Sequence, residues 1–355
     1  MKLGLALEYA ARGVDLPIAR IQRCEALGYD SLWTAEAYGS DAITPLAYLA
    51  ALTRRIRLGT AVMQVAARSP ASAAMQLGTV DALAGGGRVI AGLGVSGPQI
   101  VEGWYGAPWG NPKERLRDYT LILKKIFARD APVTHAGSEL QLPYAGPGAT
   151  GLGKPLKSIL HFHPKLPVWL GTGAKATVIM TAEIADGWLP FGLRPGNAST
   201  FRAWLEEGFQ RAGGGKGFAD FEIQGGVGVH ITDDVKSALA AAKPFIALYV
   251  GGMGHPTLNF HRKRMRREGW GEAADRIHEL FQAGQRAEAI AAVPDEYVDE
   301  GGLFGPVERI RERWRSDWEG MPFTGVTVRS DQEEAYELMA ELVGSRDRPD
   351  ALPLA

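Results

Sequence analysis

The sequence predicts a (β/α)8 barrel, eight parallel strands closed into a ring inside a layer of helices. Three observations carry the prediction. Short apolar strands alternate with amphipathic helices along the whole chain, the beat of a parallel sheet with helical crossovers. Eight such strands can be counted. With 355 residues, 46% of them hydrophobic and 22% charged, the chain can build one large α/β core. An open doubly wound sheet is the other arrangement this alternation permits.

Strand one is Lys2–Glu8, apolar and closed by an acid. Helix one covers Leu16–Leu27, where Leu16, Ile18, Ile21, Cys24 and Leu27 recur at close to helical spacing. Gly28 stops it as a C′ glycine. Ser31–Thr34 is strand two, and Asp41 is placed to cap a helix over Thr44–Thr53. Strand three is Ile56–Val62, followed by a helix over Pro70–Ala84. Strand four is Val89–Leu93. Lys113–Phe127 reads as a helix with Leu116, Tyr119, Leu123, Ile126 and Phe127 on one face.

The second half keeps the beat. Val168–Leu170 leads to a helix over Ala174–Ile184, and Gly187–Leu189 to one over Thr200–Ala212. Phe221–Ile231 leads to Val235–Val250, and Val326–Val328 to Gln332–Val343. Two stretches interrupt it: Asp130–Lys165, rich in Gly and Pro, and Gly251–Phe323, long and polar. Loops of this length are usually functional, and in a barrel they extend the C-terminal face. Both are expected to build a substrate pocket, with Phe191, Met253, Phe260 and Trp270 as its apolar wall. The run RKRMRRE at 262–268 reads as a solvated helix face. A single domain over 1–344 is expected, with a fraying polar tail at 345–355.

Composition removes several classes of function. Lys+Arg is 39 and Asp+Glu is 40, so there is no basic footprint for nucleic acid or anionic lipid. A single cysteine, Cys24, excludes a disulfide framework and a cysteine metal cluster. No apolar run reaches the roughly 18 residues of a membrane helix. The start, MKLGLALEYA, lacks the features of a signal peptide, and a cytoplasmic location is expected. HExxH and GxSxG are absent, so neither a zincin helix nor a serine-hydrolase elbow is indicated. His161 and His163 sit in a loop. His230, His255 and His261 either line a pocket or are ordinary core and surface residues.

Residues at strand ends face a common centre in a barrel. Here most are small and uncharged: Ala61, Val62 and Gln64 after strand three, Gly94–Gln99 after strand four, and Gly171–Ala174 after strand five. Glycines there let a flat ligand lie against backbone. Successive N–H groups at Gly94, Val95, Ser96 and Gly97, and at Gly171, Thr172, Gly173 and Ala174, suit an anion. A planar cofactor with a phosphate tail would use both features. Glu8 and Glu36 are the two carboxylates at strand ends. They serve acid/base chemistry if burial raises one of them, or form ion pairs with Arg68 or Arg194.

Four segments of the chain then resemble a known family: GYDSLWTAEAYGSDAITPLAYLAA at 28–51, IRLGTAVMQVAARSPASAAMQ at 56–76, GGGRVIAGLGVSGPQIVEGWYG at 85–106 and AEIADGW at 182–188. GPVERIRER at 305–313 adds to them. The chain resembles the luciferase-like monooxygenase superfamily, and within it the coenzyme F420-dependent branch that includes methylene-tetrahydromethanopterin reductase. The resemblance implies a TIM barrel with a deazaflavin at its C-terminal face and a cis peptide at Ala61–Val62 behind the ring. Gln64, Gly94–Gly97, Gln99 and Val101 would then stand near the cofactor, and Gly171–Ala174 would cradle its phosphate end. Glu8 and Glu36 match acids near the reaction centre.

One departure matters. Several relatives carry a catalytic His directly after the strand-two acid, and this chain has Ala37. Reduction of a C=C or C=N bond in a small-molecule substrate is therefore expected over alcohol oxidation. An FMN-dependent monooxygenase and a non-catalytic deazaflavin-binding protein are the competing readings, and a metal-dependent barrel lacks enough acids and histidines on strands five to eight. Relatives imply a homodimer.

Overall fold

The structure is a computed structural model, and it describes residues 1–10, 12–253 and 258–345. Its centre is a ring of eight parallel strands: β1 Lys2–Leu7, β2 Ser31–Thr34, β3 Arg57–Thr60, β4 Val89–Gly94, β5 Val168–Thr172, β6 Gly187–Pro190, β7 Glu222–Ile231 and β8 Gly325–Arg329. Neighbours pair in chain order, and β8 returns to β1 with Lys2 opposite Gly325 and Leu5 opposite Val328. That closure makes it a TIM barrel and excludes the open doubly wound sheet.

The two faces of each strand explain their composition. Outward positions such as Leu3, Leu5, Leu32, Leu58, Leu170 and Val326 are buried under the helices. Inward positions fill the barrel itself, where Trp33 and Trp169 lie with ring centroids 5.1 Å apart and Ile90 beside them. Two indoles in so narrow a ring need small neighbours. A Cβ on Gly59 would stand 2.3 Å from the Trp33 ring, and one on Gly187 would stand 2.6 Å from Trp169. At the N-terminal rim, Arg57 donates to Asp30 at 2.9 Å and to Glu222 at 2.8 Å, with its guanidinium over Trp169. Cys24 is in the core, as its helical spacing predicts.

The strand borders differ from the sequence reading where the site begins. β1 stops at Leu7, so Glu8 stands just beyond it. The third strand is broken: after β3 comes a cis Ala61–Val62 bond, and Met63–Gln64 then pairs with Leu93 and Gly94. An additional strand, Gly302–Gly305, pairs with the far end of β7.

The two long insertions go to different places. Within 130–165, a hairpin of His135–Ala136 and Gln141–Leu142 is anchored by Asp118, which takes hydrogen bonds from His135 and from the N–H groups of Glu139 and Leu140. Phe162 packs edge-on to Phe127 and against Gly78. This segment therefore lies on the outer helices Pro70–Leu83 and Pro112–Ala128, and contributes nothing to the barrel mouth, contrary to expectation. The second insertion folds into helices Phe260–Arg267, Gly271–Gln282, Arg286–Ala291 and Asp295–Glu300 around their own small core of Val250, Met265, Ile277 and Tyr297. Trp270 packs on Tyr297 there rather than in a pocket.

Two further expectations are corrected. The run RKRMRRE is not a wholly solvated face: Met265 is fully buried, and Arg264 donates to the Tyr297 hydroxyl at 3.2 Å. Ser345 does not fray, because it is buried and donates to Leu27 O at 2.7 Å. Residues 346–355 lie outside the described residues. No helix among the described residues is long and apolar enough to cross a membrane.

The barrel interior supplies a direct test. The Gly59→Ala variant is expected to lose about 1–3 kcal/mol, because its methyl meets a ring locked by Trp169 and cannot be absorbed by rotamer change. Urea unfolding of both proteins measures it.

Candidate active site

The C-terminal mouth of the barrel opens into a cavity of about 490 Å³. Its organisation starts at Glu36, two residues past β2. The Glu36 carboxylate is buried and accepts four N–H groups: Gln64 N at 2.7 Å, Ala42 N at 3.0 Å, and Arg68 Nη1 and Nη2 at 2.9 and 2.7 Å. Burial would pull the Arg68 guanidinium down, but its hydrogen bonds to Glu36 and that carboxylate's charge more than offset this and raise it. Arg68 was one of the two ion-pair partners open to Glu36 from sequence. A carboxylate with both oxygens so occupied holds structure and is poorly placed to exchange protons.

What Glu36 holds is the bulge after β3. Gln64 returns a bond, donating Nε2 to Glu36 O at 2.9 Å, which leaves its Oε1 buried without a partner. Ala61 N is tied to Thr34 O. Between these ties the Val62 side chain is pressed over β4 and β5. A Cβ on Gly94 would stand 2.3 Å from Val62, and one on Gly171 would stand 2.7 Å from it. Glycine at both positions is thus a condition for seating Val62. Together Ala61, Val62, Val95, Ser96, Gly97 and Gly171 give this half of the cavity a floor of small residues.

The opposite half is aromatic. Tyr9, Phe191, Tyr249, Met253, Phe260 and His261 line it. His261 is caught edge-on between Phe191, with ring centroids 5.1 Å apart, and Tyr249, at 4.6 Å. Burial, helped by the charge of Arg264, pulls the His261 imidazole down to about 3, so it is neutral at physiological pH. Burial and a hydrogen bond with Tyr9 push the Tyr249 hydroxyl up to about 12. Glu8 lies at the rim. Its side chain is 72% exposed and stands 3.3 Å from Arg329 Nε.

Of the residues expected from sequence, the cavity brings together Glu8, Glu36, Ala61, Val62, Gln64, Val95, Ser96, Gly97, Gln99 and Gly171. The others do not line it. Gly94 lies under Val62, and Val101 is buried. Thr172 is hydrogen-bonded to Thr181 at 2.8 Å, and Gly173 packs on Phe191 O. Ala174 precedes helix Lys175–Ile184, whose first turn has no side-chain cap. His230 pairs with Asp331 away from the cavity, and His255 lies outside the described residues.

Sequence reasoning missed Tyr9, Tyr249 and Arg329. Arg329 had a signal, because it is the last residue of β8, one past the strand as read. Tyr9 directly follows an acid at a strand end. Tyr249 sits near the end of helix Val235–Gly252 and carries no local mark at all.

The luciferase-like monooxygenase family profile matches residues 14–325. A candidate coenzyme F420-dependent oxidoreductase of Mycobacterium tuberculosis is 44% identical over 345 residues, 97% of this chain and 99% of that protein. Among solved structures, the coenzyme F420-dependent tetrahydromethanopterin reductase of Methanopyrus kandleri superposes with a TM-score of 0.74 at 21% identity, covering 96% of this chain and 97% of that one. An F420-dependent secondary alcohol dehydrogenase in complex with an F420–acetone adduct gives 0.71 at 15% identity, covering 97% and 98%. At those identities the two structures speak for the fold alone.

The Glu36–Arg68 pair generates a prediction independent of any ligand. Arg68→Leu leaves a buried carboxylate short of its counter-charge, and is expected to cost about 3 kcal/mol of stability. Denaturant unfolding at neutral pH reads it. A loss below about 0.5 kcal/mol, the scale of an exposed pair, would show that the clamp is not needed.

Proposed function

The chain belongs to the luciferase-like monooxygenase family, and from that membership we propose that it is an enzyme transferring hydride between coenzyme F420 and a small organic substrate. The observation that carries the cofactor assignment is the 44% identity, over nearly the full length of both chains, to a candidate F420-dependent oxidoreductase. When bound, the deazaflavin supplies a hydride, and the protein supplies position, water exclusion and proton balance.

The residues present fit that group. A flat ring needs a floor without projecting side chains, and Val62 over Gly94 and Gly171 makes one. A ring N–H needs an acceptor, and the buried, unpartnered Oε1 of Gln64 is one at the cavity wall. An anionic tail needs donors. Gly171–Ala174 leads into the uncapped first turn of helix Lys175–Ile184, where backbone N–H groups lack side-chain acceptors. Val95–Gly97 and Gln99 border the same half.

For the direction of chemistry, we assign reduction of a C=C or C=N bond over alcohol oxidation. Oxidising an alcohol calls for a base beside the hydroxyl. Ala37 follows Glu36 at the cavity wall and has no titratable group, Glu36 is fully engaged, and His261 is held too acidic to act as a base near neutral pH. Reduction calls for a proton instead. Glu8 stands at the water-exposed rim beside Arg329, where it can pass one inward from solvent.

Fluorescence titration with F420 and with FMN tests the cofactor, and F420 is expected to bind at least tenfold more tightly. Preference for FMN would move the protein to the oxygen-using chemistry of its family. The Glu8→Gln variant is expected to keep F420 affinity and lose roughly a hundredfold in turnover with reduced F420. Unchanged turnover removes Glu8 from proton balance.

A further inference from the structure

We propose that the aromatic half of the cavity is the substrate site, that it takes an uncharged and largely apolar carbonyl compound, and that His261 anchors it by donating a ring N–H to the carbonyl oxygen. This rests on the cofactor reading above, which leaves the half lined by β6, β1 and the second insertion for the other reactant.

Ala61, Val95, Ser96, Gly97 and Gly171 are small, whereas Tyr9, Phe191, Tyr249, Met253 and Phe260 bring large, mostly apolar side chains to the wall. A flat polar ring gains nothing from the second surface, whereas an apolar molecule buries area against it.

Among the described residues the cavity wall carries only Glu8, Glu36 and Arg329 as full charges. Glu36 is matched by Arg68, and Arg329 by Glu8. Arg264, behind the wall, lies over the Phe191 ring and pairs with Glu268 at 3.5 Å. A phosphate or carboxylate on the substrate would meet no unmatched cation there, and desolvating it would be unfavourable.

His261 completes this wall. Its ring is fixed by Phe191 and Tyr249, and among the described residues its nitrogens have no hydrogen-bond partner. Tyr249 meets it through its ring edge, with centroids 4.6 Å apart. Burial keeps the imidazole neutral, so it carries one N–H donor without a charge. A neutral donor in an apolar wall orients a neutral acceptor, and the oxygen of a ketone or enone is the simplest one.

The test uses the whole protein labelled with ¹⁵N-histidine and saturated with F420. The probes are cyclohex-2-en-1-one and cyclohex-1-ene-1-carboxylate, matched in ring size and differing in charge. The enone is expected to bind and to shift the imidazole resonance that disappears in His261→Phe, and the carboxylate to do neither at equal concentration. His261→Phe, which keeps the edge contacts, should weaken enone binding at least tenfold and leave F420 affinity within twofold. His261→Gln restores an N–H donor and should recover part of the loss.

The proposal is overturned if the carboxylate binds as well as the enone, if the enone moves no His261 resonance, or if His261→Phe binds the enone unchanged. Failure of F420 to saturate the wild-type protein appears before any probe is added and counts against the cofactor reading alone. The enone arm then runs on the cofactor-free protein, where the His261 resonance is read in the same way.

Discussion

The active-site half of this barrel depends on one buried carboxylate. Glu36 leaves β2 and at once ties three other segments together: Ala42 ahead of helix Thr44–Leu52, Gln64 after the β3 bulge, and Arg68 ahead of helix Pro70–Leu83. A buried carboxylate is tolerated only when its lone pairs and its charge are answered, and here two backbone N–H groups and a guanidinium fork do both. These bonds hold the bulge after β3 in place. Val62 is driven over Gly94 and Gly171, and Gln64 Oε1 is left buried without a partner.

From that constraint the cavity acquires two unlike halves. The strands that feed the bulge supply small side chains and backbone, a surface suited to a flat ring. The strands on the other side, with the second insertion, supply rings and a thioether. The contrast divides the cavity lining between small and ring-bearing residues. It also separates the roles of the two strand-end acids. Glu36 is enclosed by its N–H donors, whereas Glu8 stands on the open rim, 3.3 Å from Arg329 Nε.

Much of the fold was legible because it depends on local periodicity. Alternating apolar residues in Lys2–Leu7 and the helical stripe of Lys113–Phe127 report on their own surroundings, and eight repeats imply closure. The site was legible only where it lies at strand ends, as with Ala61, Val62, Gln64 and Gly171. Contacts between residues far apart in sequence were not. Nothing near Phe162 says that it will pack on Gly78, so the first insertion read as a pocket loop and is instead an outer brace. Tyr249 and His261 meet through the fold of the second insertion, which has its own core. Two glycines that the sequence placed within strands have a packing cause: Gly59 and Gly187 make room for two indoles inside the ring.

The most direct measurement is a crystal structure of the protein with F420. The deazaflavin ring is expected against Val62 and Gly171, with a ring N–H on Gln64 Oε1 and the surface of Tyr249 and His261 left open. A ring stacked among Phe191, Tyr249 and His261, with Gln64 Oε1 untouched, would contradict it.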